Sequence, residues 1–204
     1  MAVAKQMLRI KILSCGGLRD LMSEMEASFL VSALGLFRNV EGFANAKPRA
    51  NVNLARAYTA ADFYDSVFGT EDVLHLIGHA NADRLEVGTS SSKVYASSLA
   101  GEAQSRGAAV PPVIVSTGCK VQSAAWRGGL KDAGAKVLIA AEGNVTAANL
   151  TAWDMAFYSA LLSQVYKGKT LTERVEASFA LADDHYRAVH ADGATFAKFR
   201  LSKL

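Results

Sequence analysis

Three short runs constrain this chain more than any other feature: Val73 to Ile77 (VLHLI), Val113 to Thr117 (VIVST) and Lys136 to Ala141 (KVLIAA). Each is aliphatic on both of its alternating faces. A strand of that kind must be covered from above and below, as in the mainly parallel sheets of α/β proteins. The stretches between them have helical periodicity, so the pattern is that of an α/β fold.

Other elements follow the same alternation. LRIKILS, Leu8 to Ser14, sets Leu8, Ile10 and Ile12 on one face and ends before Gly16-Gly17. Residues 19 to 37 form a helix with acids in its early turns, where they favour the dipole. A short strand is expected near Val40 to Ala44, followed by a loop around Pro48. Thr59 caps a helix over Ala60 to Phe68, and the Ser-rich stretch Asn81 to Val94 is a hairpin or exposed loop. Helices are expected over Ser97 to Gly107, Gln122 to Ala133, Thr146 to Tyr166 and Thr170 to Val189.

With 204 residues, half of them hydrophobic and only 20% charged, the chain is long enough for one well-buried domain spanning 1–204 and too apolar to be disordered. Its net charge of +3 comes from scattered lysines and arginines, not from a block of the kind that tracks nucleic acid or anionic lipid. Neither nucleic acid nor membrane is expected as a partner. The first twenty residues do not read as a signal peptide, and no run approaches the ~20 apolar residues that span a bilayer. A cytoplasmic location is expected, with Cys15 and Cys119 as free thiols.

In open parallel sheets, ligands and chemistry collect at the carboxyl ends of the strands. His79 follows VLHLIG and Cys119 follows VIVSTG. If those two strands are neighbours, their ends lie about 5 Å apart and the two residues share one site. An imidazole there takes the proton of a thiol or stabilises its thiolate, which is the chemistry of acyl transfer. Each residue alone has a plainer explanation, because single cysteines and histidines in α/β cores are usually structural.

Two other arrangements carry less. His75 and His79 lie four residues apart, but on a strand this separates them by roughly 13 Å, too far for one metal, and His75 reads as a core or supporting residue. Cys15, in KILSCGGL, is the competing thiol; CGGLRD lacks both the G-x-G-x-x-G spacing and the P-loop lysine, and the base rate for buried cysteines makes it structural. No metal and no cofactor is expected.

DVLHLIGHAN, the 39 residues between His79 and Cys119, and the continuous stretch from VIVSTGCKVQ through AGAKVLIAAEGNVTAANLTAWDMAFYSALL to GKTLTERVEASFALA together resemble the CHAT peptidases. That group lies within the caspase-like cysteine proteases, with separase, clostripain, gingipain and the metacaspases. Residues 72 to 182 carry the resemblance, and residues 8 to 68 follow it in outline. It implies a three-layer caspase-like sandwich with a mostly parallel sheet of about six strands. It also implies a cysteine endopeptidase acting on a protein substrate, with His79 as general base and acid and Cys119 as nucleophile. The oxyanion donors map onto the backbone N–H groups of Ala80 and Cys119.

The chain departs from that pattern at three positions. Ala80 replaces the usual glycine after the histidine, which adds a Cβ but keeps the N–H donor. Thr117 stands where metacaspases carry an acid. In the loop that reads basic side chains in separase-like members, EGNVTAAN offers Glu142 and Asn144 as the substrate-binding candidates. A protease domain in a cytoplasm is hazardous, so restraint by a regulatory protein partner, a ligand or a homo-oligomer is expected, and the resemblance suggests a role in bacterial defence or cell death. Two readings from other classes remain: a catalytically inactive caspase-like module that binds a partner through the same crevice, and a flavodoxin-like domain in which His79 and Cys119 never meet.

Overall fold

The computed structural model describes residues 7–16, 20–37, 48–145, 147–163, 169–189 and 198–204. Six strands form one sheet in the order β2-β1-β3-β6-β7-β8, comprising β1 (Leu8–Ser14), β2 (Ala50–Arg56), β3 (Val73–Ile77), β6 (Val113–Ser116), β7 (Val137–Ala141) and β8 (Phe199–Lys203). The first five run parallel, and β8 closes the edge antiparallel to β7. A separate hairpin, β4 (Arg84–Val87) and β5 (Thr89–Tyr95), fills the Ser-rich stretch.

Alternation along the strands sorts the core into two layers. Ile10, Ile12, Val73, Ile77, Val113, Val115, Val137 and Ile139 face α1 (Leu21–Gly35), α5 (Ala147–Leu161) and α6 (Leu171–Val189). Leu13, Leu74, Leu76, Ile114 and Leu138 face the hairpin and α2 (Ala60–Val67), α3 (Leu99–Arg106) and α4 (Ala124–Asp132). The expected three-layer sandwich with a mostly parallel six-stranded sheet is present.

The central strands β1, β3, β6 and β7 fall within one residue of their expected limits, because both faces of each are buried. Two edge strands were not anticipated. Along β2, ANVNLAR alternates with exposed polar residues, and most of the strand is half-buried or open to solvent. β8 is similarly open beyond Phe199, which stacks on Trp153 with ring centroids 4.2 Å apart and so pins the strand to α5. The strand expected near Val40 to Ala44 lies outside the described residues.

Local signals set the helix ends. Thr59 and Asp62 form a capping box at α2, and the Ser123 hydroxyl accepts the Trp126 N–H at the start of α4. Asp20 caps α1, its carboxylate accepting from the Ser23 N–H and hydroxyl at 3.3 and 2.6 Å. No helix among the described residues is long and apolar enough to cross a membrane.

Candidate active site

The chain leaves β1 for β2 on one side and then returns to β3 on the other, so the direction of winding reverses at β1. At such a switch point the loops leaving the carboxyl ends diverge and open a crevice. The ends of β1, β3 and β6 are level there, with Ser14 opposite Ile77 and Leu76 opposite Ser116. Asp20 follows the first of these ends, His79 the second and Cys119 the third.

The loops after β3 and β6 touch. A Cβ built on Gly118 would sit 2.9 Å from the Ala80 Cβ and 3.1 Å from the Gly78 carbonyl oxygen, so the residues flanking His79 and Cys119 pack backbone to backbone. Only glycine permits that approach. Gly118→Ala is therefore expected to push the loops apart and to destabilise the fold by about 1 to 3 kcal/mol. A thermal melt checks this.

Four further hydrogen bonds hold the loops. The Trp126 indole N–H donates to the Asn81 carbonyl at 2.9 Å, and the Ser123 hydroxyl donates to the Ala82 carbonyl, so the start of α4 fixes the chain just past His79. The Gly118 N–H donates to the Ser116 hydroxyl at 3.2 Å. Lys120 adopts a left-handed conformation, φ 57°, directly after Cys119, and its N–H donates to the Gly143 carbonyl at 3.0 Å. That bond sets the loop after β7 beside the cysteine turn. Among the described residues, the N–H groups of Ala80 and Cys119 have no protein acceptor.

His79 has a partner that sequence reasoning missed. Its Nε2 lies 3.2 Å from Asp20 Oδ2, and the histidine side chain is 71% exposed while that of Asp20 is 14% exposed. An Nε2–H donated to that carboxylate would leave Nδ1 as the nitrogen that accepts a proton. Asp20 is held in place by capping α1, and Gly16 leaves room for its carboxylate, since a Cβ there would lie 2.7 Å from Asp20 Oδ2. In the sequence Asp20 shows only as a helix cap. Its approach to His79 depends on β1 pairing with β3, which no local pattern encodes.

Cys119 is a free, half-buried thiol, whereas Cys15 is 1% exposed and burial pushes its thiol far above the ordinary range. A thiol held protonated is neither a nucleophile nor a ligand. Cys15 N–H donates to Ile77 O at 2.8 Å, which makes this residue part of the β1–β3 join.

Glu142 lies in the loop after β7, paired with Lys198 at 3.1 Å and Arg200 at 3.0 Å. These two cations hold its carboxyl below the usual range. A basic substrate side chain would have to compete with them. Asn144 is exposed two residues further on.

No family model matches this sequence, and no curated protein does. Among solved structures, a secreted C11 cysteine protease from Bacteroides thetaiotaomicron, crystallised with an irreversible peptide inhibitor, superposes with a TM-score of 0.57 at 10% identity, over 97% of this chain and 66% of that one. The fold is that of the caspase-like cysteine proteases. The Arg-specific cysteine proteinase gingipain R has the same architecture, with a TM-score of 0.50 at 11% identity, covering 92% of this chain and 44% of the other. The chain thus spans just under two thirds of the first relative and less than half of the second.

Proposed function

We propose that this protein is a cysteine peptidase in which His79 and Cys119 act as a dyad and Asp20 positions the imidazole. The observation that carries this is the packing of Gly118 against Ala80 and Gly78, which joins the ends of β3 and β6 beside the Asp20–His79 pair. His79 Nδ1 takes the proton of the Cys119 thiol, and the thiolate attacks the peptide carbonyl carbon. The resulting oxyanion accepts from the Ala80 and Cys119 N–H groups. The imidazolium then returns its proton to the leaving amine. Water, deprotonated by the same imidazole, hydrolyses the thioester and regenerates the thiol.

The substrate is a protein or peptide whose side chain before the cut lies toward the loop holding Glu142 and Asn144. The order and spacing of the motifs favour the CHAT type within this fold. Activity in a cytoplasm would need restraint, by a regulatory protein or by self-association.

An acyloxymethyl-ketone peptide probe tests the reading. It is expected to label Cys119 stoichiometrically, to spare Cys15, and to leave Cys119→Ala unlabelled; Cys15→Ala is expected to react as the wild type does, as read by intact and peptide mass spectrometry. A folded wild-type protein that stays unlabelled, alone and with its native partner, would favour the partner-binding module instead.

A further inference from the structure

Behind the candidate active site, within the layer between the sheet and α1/α5, lies a polar cluster in an otherwise apolar core. Strand alternation points His75 into this layer along with Val73 and Ile77. Glu26 reaches it from α1, and Asp154 and Tyr158 from α5. His75, Asp154 and Tyr158 are fully buried and Glu26 is 7% exposed.

His75 Nε2 lies 3.5 Å from Glu26 Oε1 and 3.8 Å from Asp154 Oδ2, and one donor atom from each residue lies within 4.8 Å of the others. Despite this convergence, among the described residues His75 Nε2 and both Asp154 carboxylate oxygens find no hydrogen-bond partner unless the two acids share a proton. No Lys or Arg among the described residues pairs with either carboxylate. Two carboxyl groups left in an apolar interior with no cation are costly, and burial, followed by the neighbouring Glu26, pushes Asp154 well above the usual carboxylate range.

The outer contacts are those of a metal site. His75 Nδ1 is hydrogen-bonded to the Tyr158 hydroxyl at 2.9 Å, which orients the ring and leaves Nε2 aimed at the carboxylates. The Thr117 hydroxyl donates to Glu26 Oε1 at 2.7 Å and fixes that carboxylate. A tetrahedral ion about 2.1 Å from each donor holds its ligand atoms about 3.4 Å apart, close to the 3.5 and 3.8 Å that separate His75 Nε2 from Glu26 Oε1 and Asp154 Oδ2.

We propose that Glu26, His75 and Asp154 bind one structural divalent transition-metal ion of the Zn2+ type. One imidazole nitrogen with two carboxylates suits Zn2+, Mn2+ or Fe2+ better than Mg2+ or Ca2+, which favour all-oxygen cages. The ion's two positive charges cancel those of the two carboxylates, so the site is neutral with His75 uncharged. Its burial marks it as structural: it joins α1, β3 and α5, and through Thr117 it braces the strand end two residues before Cys119.

Metal analysis of the full chain, expressed with added Zn2+ and purified without chelators, tests this. Cys119→Ala serves as the background, because a thiol and an imidazole at the catalytic edge would otherwise hold zinc themselves. About one equivalent of transition metal is expected. It should persist in Cys119→Ala and be lost in Asp154→Asn and Glu26→Gln. Protein from zinc-depleted culture should melt about 5 to 10 °C lower than the loaded form. Cobalt-grown Cys119→Ala keeps the test independent of whether the ligand variants fold: visible d–d bands without a thiolate charge-transfer band are expected. Metal-free protein with an unchanged melting temperature under both zinc regimes would overturn the proposal and leave a pair of carboxyls sharing a proton. Metal lost on Cys119→Ala would overturn it equally. Neither outcome bears on probe labelling of Cys119.

Discussion

Cys119→Ala is expected to reduce peptide-bond hydrolysis to background, a loss of at least about 10⁴-fold, with the fold unchanged. The substitution removes one sulfur atom from a half-buried turn, and the thiol forms no disulfide whose loss would loosen the fold. Alanine leaves the Cys119 N–H and the His79–Asp20 pair in place, so whatever hydrolysis survives comes from oriented water and the oxyanion donors alone. Hydrolysis of a peptide substrate, followed beside a thermal melt, checks both halves of this expectation. Retained turnover in a folded variant would transfer the nucleophile's role elsewhere. Burial bars Cys15 from taking it.

Asp20→Asn is expected to lower kcat by about 10- to 100-fold while KM and thermal stability stay close to wild type. A fully buried triad aspartate can be worth about 10⁴, because its amide replacement stabilises the wrong imidazole tautomer. Here His79 is largely exposed and water competes for its ring, so the effect is smaller. Asparagine caps helices about as well as aspartate, so α1 keeps its N-terminal hydrogen bond and the melting temperature barely moves. A purely structural Asp20 would leave kcat unchanged in Asp20→Asn, while Asp20→Ala removes the cap and is expected to lose about 1 kcal/mol of stability in either case. The kcat of Asp20→Asn therefore decides whether Asp20 positions the imidazole as well as capping α1.

The parts of this molecule that could be read along the chain are those whose environment is the same on both sides. β3, β6 and β7 are buried on both faces, and their aliphatic runs declare it without reference to any partner, while β1 shows in the alternation of Leu8, Ile10 and Ile12. The turns at Gly78 and Gly118 place His79 and Cys119 at strand ends, and the β-α alternation implies that those ends face one way. Edge strands lack such a signature, because half of each residue set meets water; β2 and β8 became strands through their pairing with β1 and β7.

Charged side chains divide in the same manner. Glu26 sits in the second turn of α1, where periodicity treats it as one more helix acid serving the dipole. The packing of α1 over β3 turns it inward to His75 instead. Asp154, between Trp153 and the aromatic pair Phe157–Tyr158, is buried for the same reason. Asp20 beside His79, Thr117 on Glu26 and the Glu142 pair with β8 are likewise contacts across 58 or more residues of chain.

Hydrophobic periodicity is a local property of residues a few positions apart, so the chain alone established the α/β alternation, its central strands and the two residues at their ends. The sheet order is a property of residues far apart in sequence, and it alone selected which acid meets which histidine. Coulomb and hydrogen-bond energies depend on that separation in space, which no spacing along the chain records.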